Sequence, residues 1–305
     1  MLRQVLTRLE QAHALDGASD RLQAAVSATV RPRPLRDLLH GKWLGHPLHP
    51  VLVQVPVGAF ISAAVLDLLP SRSGSPSRSR FGSLSGFRSG SAPASSGDRA
   101  VTALIAAGLA GVAPAVMAGL VDWSEMTKDR RRVGLVHAAA NTVAVGLYAG
   151  SLVARLTGRA TAGKALAFAG LSVAGTGAFL GGHLSYAQGG GVSHAAPEVA
   201  RVPEEWTVAG SLSSLPDGKP AARRVGDVAV LLYRQGDQVT ALIDRCSHEG
   251  GPLSEGDLSD GCVVCPWHGS TFRLSDGAVV HGPAGNDQPV LPVRVRDGLV
   301  EVRRP

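Results

Sequence analysis

The stretch DRCSHEGGPLSEGDLSDGCVVCPWHGSTF, residues 244–272, contains two short loops that each offer one Cys and one His. Cys246 and His248 form the first pair, and Cys265 and His268 form the second. A thiolate and an imidazole from each of two loops can bind one tetrahedral zinc ion, or a [2Fe-2S] cluster in which Cys holds one iron and His the other. These four residues are the predicted metal ligands.

The distribution of donors between the loops favours the cluster over zinc. Zinc sites usually pair Cys with Cys and His with His, or use Cys-x2-Cys knuckles, whereas each loop here carries one of each. The flanking sequence predicts a small antiparallel β domain. Two apolar runs in DVAVLLYRQGDQVTALID are separated by RQGDQ, and VLPVRVRDGLVEVRR turns at Asp297-Gly298, which are both hairpin signatures.

The motif CSHEGGPLSEG followed by CVVCPWHGSTF resembles the Rieske family, and the resemblance covers about residues 202–303. It implies a [2Fe-2S] cluster and electron transfer. High-potential members join an extra Cys in each loop as a disulfide, but the matching positions here are Gly251 and Trp267. Ser270 stands at one hydrogen-bond donor position of the family and Phe272 replaces a Tyr donor. We therefore expect a potential in the lower part of the ~−150 to +300 mV Rieske range.

The rest of the chain has the composition of a membrane protein. Of 305 residues 45% are hydrophobic and 38 are Gly. Four apolar segments approach or exceed the ~20 residues that a membrane helix needs, and their Gly and Ala content suits close packing in lipid. They are residues 51–69, 101–121, 133–154 and 165–182. The fold class expected is a four-helix transmembrane bundle followed by an all-β Rieske domain, although a water-soluble helical bundle remains an alternative for the first part.

Composition shifts give the domain boundaries. We expect a cytoplasmic or interfacial helical segment over 1–45, a four-span membrane domain over 46–187, and the iron-sulfur domain over 204–305. The Ser, Arg and Gly-rich stretch 71–99 is predicted to be a disordered loop. The Gly- and Pro-bearing stretch 188–203 is predicted to be a tether that lets the β domain swing.

Charge counts indicate the partners and the membrane orientation. The net charge of +6 is spread over loops and tails without a basic stripe, which argues against nucleic acid, and three Cys cannot form a disulfide framework. No secretory signal precedes the first span. Eleven Lys and Arg lie on the side of the termini and eight on the other, so the positive-inside rule places the β domain in the cytoplasm of a multi-pass cell-membrane protein.

Several polar residues fall at the membrane face that carries the termini. They are His46, His49, Asp122, Trp123, His137 and His183. Ionisable residues at membrane depth often line a site, so they could bind a b-type haem, a metal or a quinone, and the alternative is that they cap helix ends. GHPLHPVLVQVPVGAF, GLVDW, HAAAN and GGHLSYAQGGGV resemble the membrane family known as domain of unknown function 2231, over about residues 40–195. Gln54 stands where that family often has a His.

Function follows from these parts as a hypothesis. We expect a membrane-anchored Rieske protein that carries single electrons between a redox partner protein or quinone and an acceptor, as a component of an oxidoreductase rather than a self-contained enzyme. An alternative is a redox sensor in which the cluster state controls docking of the head on the membrane domain. A single-chain oxygenase would need a mononuclear iron domain after the cluster, and only 37 residues follow His268. A component of a multi-subunit oxygenase is therefore the form in which this third, less favoured alternative remains.

Overall fold

The computed structural model describes residues 2–69 and 96–305. These residues form two compact units, one within Pro50–Val116 and Gly134–Gly181, the other within Met1–His49, Met117–Val133 and Gly182–Pro305. Most of the predicted loop 71–99 lies outside the described residues. Its last part, from Ser96, is instead the first turn of a helix, where Asp98 is favourably placed at the positive end of the helix dipole.

The N-terminal two thirds of the described chain is helical. Its α-helices are α1 (Leu2–Glu10), α2 (Asp16–Thr29), α3 (Arg33–Leu39), α4 (His49–Leu52), α5 (Gln54–Leu68), α6 (Ser96–Ser124), α7 (Lys128–Leu156), α8 (Ala160–Gly182) and α9 (Ala196–Val199). A π-helical turn, His183–Ala187, continues α8.

Within the described residues, four helical segments are long and apolar enough to cross a membrane. They span His49–Leu68, Ser96–Ser124, Lys128–Leu156 and Ala160–Ala187, which are 20, 29, 29 and 28 residues long. A helix crosses a ~30 Å hydrocarbon layer with about 20 residues, so each length suffices. The four apolar segments predicted from the sequence are therefore confirmed as four membrane-capable helices.

Small residues bring the helices of the first unit close together. The rings of Phe60 and Tyr148 stack with centroids 3.7 Å apart. A Cβ atom on Gly108 would lie 2.4 Å from the Phe60 ring, so only glycine admits that ring against α6. Tyr148 is 1% exposed. This is the close packing that the Gly- and Ala-rich segments predict.

An ion pair is buried in the same unit. Asp67, near the end of α5, pairs with Arg155 of α7, and their side chains are 7% and 3% exposed. The Arg155 Nε also donates to Ser151 Oγ at 3.4 Å. Lys164 also donates to the backbone carbonyl of Asp67. Two of the positive charges counted for the membrane orientation, Arg155 and Lys164, therefore bind Asp67.

The C-terminal part of the second unit is built from antiparallel strands. They are β1 (Thr207–Ser211), β2 (Pro220–Val225), β3 (Val228–Gln235), β4 (Gln238–Ile243), β5 (Asp257–Ser259), β6 (Cys262–Val264), β7 (Thr271–Arg273), β8 (Val279–His281), β9 (Val290–Leu291), β10 (Val293–Arg296) and β11 (Leu299–Val302). Three sheets have the orders β1-β11-β10, β2-β3-β4-β9 and β5-β6-β7-β8. The predicted all-β domain is confirmed.

Both predicted hairpins are present. Strands β3 and β4 pair from Val230↔Ile243 to Gln235↔Gln238 around the Gly236-Asp237 turn. At the second hairpin, Asp297 and Gly298 have φ of 51° and 75°, so both central residues adopt the left-handed conformation that matches strand twist in a two-residue turn. The local turn chemistry therefore specifies the register.

The segment 188–203 differs from the predicted tether. Ala195 and Val202 are 0% and 2% exposed and belong to the hydrophobic core of the β domain. The His194 N–H donates to the Ser247 carbonyl at 2.9 Å. Although Gly189 and Gly191 are in the left-handed conformation, the segment is packed and hydrogen-bonded to the domain that it was expected to release. The apolar Ala and Val within the Pro-bearing half explain the difference, since burying them favours folding.

Arginines at the start of α7 are buried against the N-terminal helices. Arg131 pairs with Asp20, and Arg132 pairs with Asp16. The two arginine side chains are 4% and 8% exposed, so each buried charge has a carboxylate partner. The bond from Arg132 is the largest cause that lowers the pKa of Asp16 to about 2. These arginines, which the sequence analysis counted only toward the membrane orientation, connect α2 to the start of α7.

We predict that the Asp67–Arg155 pair can be exchanged but not halved. Asp67→Asn should lower the free energy of unfolding by about 3–5 kcal/mol, because it leaves the Arg155 charge buried and unpaired. The double variant Asp67→Asn/Arg155→Met should recover most of the loss. Thermal unfolding of the detergent-solubilised protein measures both effects. Equal instability of the single and double variants would show that the pairing is not what matters at this position.

Candidate metal centre

The first predicted ligand loop connects β4 to a 3-10 turn at Leu253–Glu255. The Gly250 N–H donates to the Cys246 carbonyl at 2.9 Å, which closes a turn around His248. Gly250 has φ of 79°, a value that favours glycine, and its missing Cβ would lie 2.8 Å from Arg245 Nε. The HEGG sequence therefore forms a compact loop that presents a thiol and an imidazole.

The second loop, between β6 and β7, is closed in the same way. The Gly269 N–H donates to the Cys265 carbonyl at 3.0 Å, and Gly269 has φ of 76°. The Cys265 N–H donates in turn to the Ser270 carbonyl at 2.8 Å. Each loop is thus an i to i+4 turn that starts at the predicted Cys ligand and ends at a left-handed Gly, so the two loops are structurally alike although their His positions differ by one residue.

The two loops bring the predicted thiol ligands into contact. Cys246 and Cys265 are 1% and 3% exposed. A hydrogen bond from the Cys246 thiol is the largest cause that lowers the pKa of Cys265 to about 6, while the same bond, together with burial, raises the pKa of Cys246. The contact therefore favours the thiolate form of Cys265, and thiolate is the form that binds metal.

The predicted imidazole ligands lie beside each other. The ring centroids of His248 and His268 are 5.1 Å apart, and the rings are nearly perpendicular. Burial and the neighbouring His268 lower the pKa of His248 to about 3, so His248 is neutral and can act as a ligand. The Nδ1 atoms of both histidines are buried without a hydrogen-bond partner among the described residues.

These donors fit two irons better than one zinc ion. Among the described residues, no three His, Cys, Asp or Glu side chains converge closely enough to hold a single metal ion. Zinc needs four donors at about 2.0–2.3 Å from one point, whereas a [2Fe-2S] cluster of this type separates a pair of thiolates from a pair of imidazoles. The two thiols in contact, the two adjacent rings and their unpartnered Nδ1 atoms fit the donor set of such a cluster.

Gly251 and Trp267, the positions that match the cysteines of high-potential relatives, lie together. A Cβ on Gly251 would be 2.9 Å from the Trp267 ring and 3.1 Å from Cys265 Sγ. The indole thus covers the first loop without a covalent bond, while 57% of Trp267 stays exposed.

The other two positions singled out by the resemblance are fully buried. Ser270 Oγ accepts the Ala284 N–H at 3.0 Å. Phe272, 0% exposed, packs in the core that contains Cys246 and Cys265. Ser270 therefore ties the second loop to the segment after β8, and Phe272 places an apolar ring behind the predicted thiol ligands. The remaining cysteine, Cys262, is a buried residue of β6.

A buried glutamine, which the sequence analysis did not single out, holds the first loop in shape. Gln288 is 2% exposed. Its amide donates to the carbonyls of Ile243 and Arg245 at 2.6 and 2.9 Å and accepts the Ser247 N–H at 2.9 Å. A lone Gln between Asp and Pro carries no signal in the sequence, because its role depends on contacts 41 to 45 residues away.

Helical residues of the same unit contact the β domain beside the predicted ligands. Asp37 of α3 accepts hydrogen bonds from His281 Nδ1 and the Gly282 N–H, both at 3.0 Å. Burial alone raises the pKa of Asp37, but these two bonds outweigh it and the pKa is lowered. Arg130 of α7 forms an ion pair with Glu249. The side chain of Arg130 is 14% exposed and that of Glu249 is 7% exposed. The residue next to His248 is thus fixed to the start of α7.

The histidines predicted at the membrane face each have a local contact. His183 Nε2 lies 2.9 Å from Glu10, and His46 Nδ1 lies 3.0 Å from the Pro47 carbonyl. His49 packs on Gly119, where a Cβ would lie 2.7 Å from its ring. His137 Nδ1 lies 2.8 Å from the Gly177 carbonyl. These are helix-packing contacts, and the haem, metal or quinone site remains a prediction.

One histidine near the predicted ligands was not singled out. His40, the C-cap residue of α3, is 2% exposed and lies 2.9 Å from Asp122. Asp122 was identified from the sequence as a membrane-face residue, but its partner is a single His at a helix end. Nothing in the sequence distinguishes such a His from an ordinary capping residue.

Family models match two separate parts of the chain. The model described as Rieske [2Fe-2S] domain matches residues 205–292, and the model described as predicted membrane protein (DUF2231) matches residues 45–194. Both resemblances drawn from the sequence are therefore confirmed, with boundaries within about ten residues of those expected.

Relatives match the C-terminal part. The anthranilate 1,2-dioxygenase ferredoxin subunit of Burkholderia cepacia is 39% identical over 98 residues, which cover 32% of this chain and 91% of that protein. The 3-phenylpropionate/cinnamic acid dioxygenase ferredoxin subunit of Photorhabdus laumondii subsp. laumondii is 36% identical over 96 residues, 30% of this chain and 88% of that protein.

An oxygenase also matches, over a smaller share of its length. The oxygenase component of dicamba O-demethylase from Stenotrophomonas maltophilia is 41% identical over 103 residues, 31% of this chain and 30% of that protein. The likeness to whole ferredoxin subunits, the two Cys and His loops and the antiparallel β domain lead to the same assignment. The chain belongs to the Rieske [2Fe-2S] family, and its Rieske domain follows a DUF2231 membrane-protein domain.

Proposed function

We propose that this protein is a membrane-anchored electron carrier that passes single electrons between a redox partner, protein or quinone, and an acceptor. The observation that carries the proposal is the pairing of two buried thiols with two adjacent imidazoles at the end of a Rieske domain, in a chain with four membrane-capable helices. Rieske clusters supply one-electron chemistry within the protein.

We propose Cys246 and Cys265 as ligands of one iron and His248 and His268, through their Nδ1 atoms, as ligands of the other. The buried, unpartnered Nδ1 atoms of the two histidines support this assignment in the part of the chain that the structure describes. Phe272 and its neighbours exclude water behind the thiols. The ligand loops, closed by Gly250 and Gly269, supply backbone donors near sulfur.

Anchoring in the cell membrane with the Rieske domain in the cytoplasm completes the proposal. Its support is the four apolar helices and the positive-inside count. Relatives named as ferredoxin subunits suggest a partner enzyme of the oxygenase type. The membrane domain, however, makes a membrane-bound or quinone-linked partner the version proposed here.

A redox sensor is the second candidate, and one observation favours it. Glu249, adjacent to the proposed ligand His248, forms a buried ion pair with Arg130. A change of cluster charge next to this pair would alter how firmly the first loop is held. Amide hydrogen exchange in α3 and the first turn of α7, compared between oxidised and reduced protein, distinguishes the two: a sensor changes the exchange rates, whereas a simple carrier leaves them alike.

Carrier function is tested on membranes that contain the full chain. We expect the reduced Rieske signal in the membrane fraction after alkaline carbonate washing, with one electron taken up per chain. NADH or a quinol, added to vesicles from the producing cells, should reduce the cluster through a partner at a rate that purified protein alone does not show. A signal confined to the soluble fraction, or a cluster reduced only by dithionite, would oppose the proposal.

We predict that the cluster depends on Cys246 and His268 but not on the third cysteine. Cys246→Ser and His268→Ala should lose the two iron and two acid-labile sulfide per chain, because each removes an iron ligand. Cys262→Ser changes a thiol that is also buried but lies on β6, and this variant should keep both iron and sulfide. Iron and sulfide analysis of purified variants decides the question. Loss of the cluster in all three, or stoichiometric zinc in the wild-type protein, would contradict the ligand assignment.

We predict that Phe272→Tyr raises the midpoint potential of the cluster. A hydroxyl added behind the thiolates can donate to sulfur, which stabilises the reduced form. An EPR-monitored redox titration measures the shift, and Phe272→Leu is the control that changes packing without adding a donor. If the tyrosine hydroxyl is shown to reach sulfur and the midpoint stays unchanged, missing donors do not explain a low potential.

A further inference from the structure

The Asp122 carboxylate fixes the proton of a buried histidine. His40 Nδ1 lies 2.9 Å from Asp122 Oδ1. A carboxylate oxygen accepts hydrogen bonds, so His40 Nδ1 is the donor in this contact, and in a neutral imidazole Nε2 then keeps its lone pair. Because His40 is 2% exposed, its ring cannot turn to solvent. The pair therefore presents a fixed hydrogen-bond acceptor.

That acceptor has no partner among the residues that the structure describes. His40 Nε2 is buried and makes no hydrogen bond to any described residue. A buried polar atom without a partner destabilises the fold, so such an atom is uncommon unless a water or another group satisfies it. A hydrogen-bond donor for Nε2 is therefore expected on the side of the ring that faces away from Asp122.

A small cavity links the pair to the proposed cluster ligand. It has a volume of about 30 Å³ and is lined by His40, Asp122 and His248, with Ser247 and Glu249 on the side of the first loop. This volume is enough for one water. All of these residues belong to one compact unit. Glu249 already pairs with Arg130, whereas the lining residue His40 has a buried Nε2 that no described residue satisfies.

The chemistry of the two rings is complementary. If Nδ1 of His248 binds iron, as proposed above, its remaining ring nitrogen is an N–H donor. His40 supplies the matching acceptor, directly or through one water. Histidine ligands of metals commonly donate their second N–H to such a partner, which raises the basicity of the ligand and stabilises the oxidised metal.

We propose that His40, held by Asp122, is a positioning residue that accepts the outer hydrogen bond of the ligand His248 and lowers the cluster potential. This inference rests on the proposed function, since it requires His248 to bind iron. It couples the residue that caps α3 and the end of α6 to the cluster. The electronic state of the Rieske centre is thereby tied to the helical part of its own unit.

Redox titration of the full-length protein, followed by EPR, tests the proposal. His40→Leu removes the acceptor, and we expect the ratio of reduced to oxidised cluster at a fixed potential to rise about tenfold, which is 59 mV for a one-electron couple. His40→Gln offers an amide oxygen and should show a smaller rise. Asp122→Asn keeps the volume but removes the charge, and it should also raise the ratio.

His281→Gln is the matched control. His281 also pairs with an aspartate of the helical segment, Asp37 at 3.0 Å, but it does not line the cavity. Its substitution should leave the potential unchanged. The three test variants are compared at equal iron content, so a loss of folding in one leaves the other two decisive.

The outcomes separate this inference from the proposed function. Intact clusters with an unmoved potential in His40→Leu and Asp122→Asn would overturn the inference alone. An equal shift in His281→Gln would also overturn it, because the effect would then belong to docking in general. A wild-type protein without a [2Fe-2S] cluster would overturn both the inference and the proposed function.

Discussion

The molecule depends on the placement of four donor atoms from two loops that are 19 residues apart in sequence, from Cys246 to Cys265. Each loop must present a thiol and an imidazole toward the other loop, and each is closed by a hydrogen bond from a left-handed glycine back to the cysteine carbonyl. The strands on either side of the loops fix their ends: the first loop follows β4, and the second connects β6 to β7. Without glycine at 250 and 269, the side chain would meet strain at a positive φ.

Fixing the loops requires buried polar groups that are fully paired. Gln288 satisfies carbonyls and an N–H of the first loop, and burial raises the pKa of Asp244, which accepts two hydrogen bonds from Ser254. The same rule extends into the helices of this unit, where Arg130 meets Glu249. Paired groups of this kind rigidify a site, whereas a half-satisfied network weakens it.

Local patterns predicted much of the fold. Helix length, turn type and ligand spacing are local properties that neighbouring residues determine. The sequence therefore predicted the four membrane-capable helices, the hairpin at Asp297-Gly298 and the two mixed Cys and His loops. The sequence predicted a disordered loop to continue to residue 99, whereas a helix begins at Ser96. It also predicted a tether over 188–203, whereas this stretch packs on the β domain. In the second case the composition resembled a linker, but burial of Ala195 and Val202 depends on strands far along the chain.

The candidate site was predictable to the same extent. The four proposed ligands stand in a sequence motif. Gly251 and Trp267, which the resemblance pairs as the positions of a disulfide in high-potential members, lie side by side. The contacts of His40 with Asp122 and of Asp37 with His281 span 82 and 244 residues, and no spacing rule reports them. Contacts of this range are decided by how helices and strands pack, which single residues do not reveal.

The most direct test of this account is pulsed EPR of the reduced, full-length protein labelled with 15N-histidine. The account predicts one spin per chain coupled to two directly bound histidine nitrogens, one from His248 and one from His268. A paramagnetic centre without histidine coupling, or a protein that carries one zinc ion in place of the cluster, would contradict it.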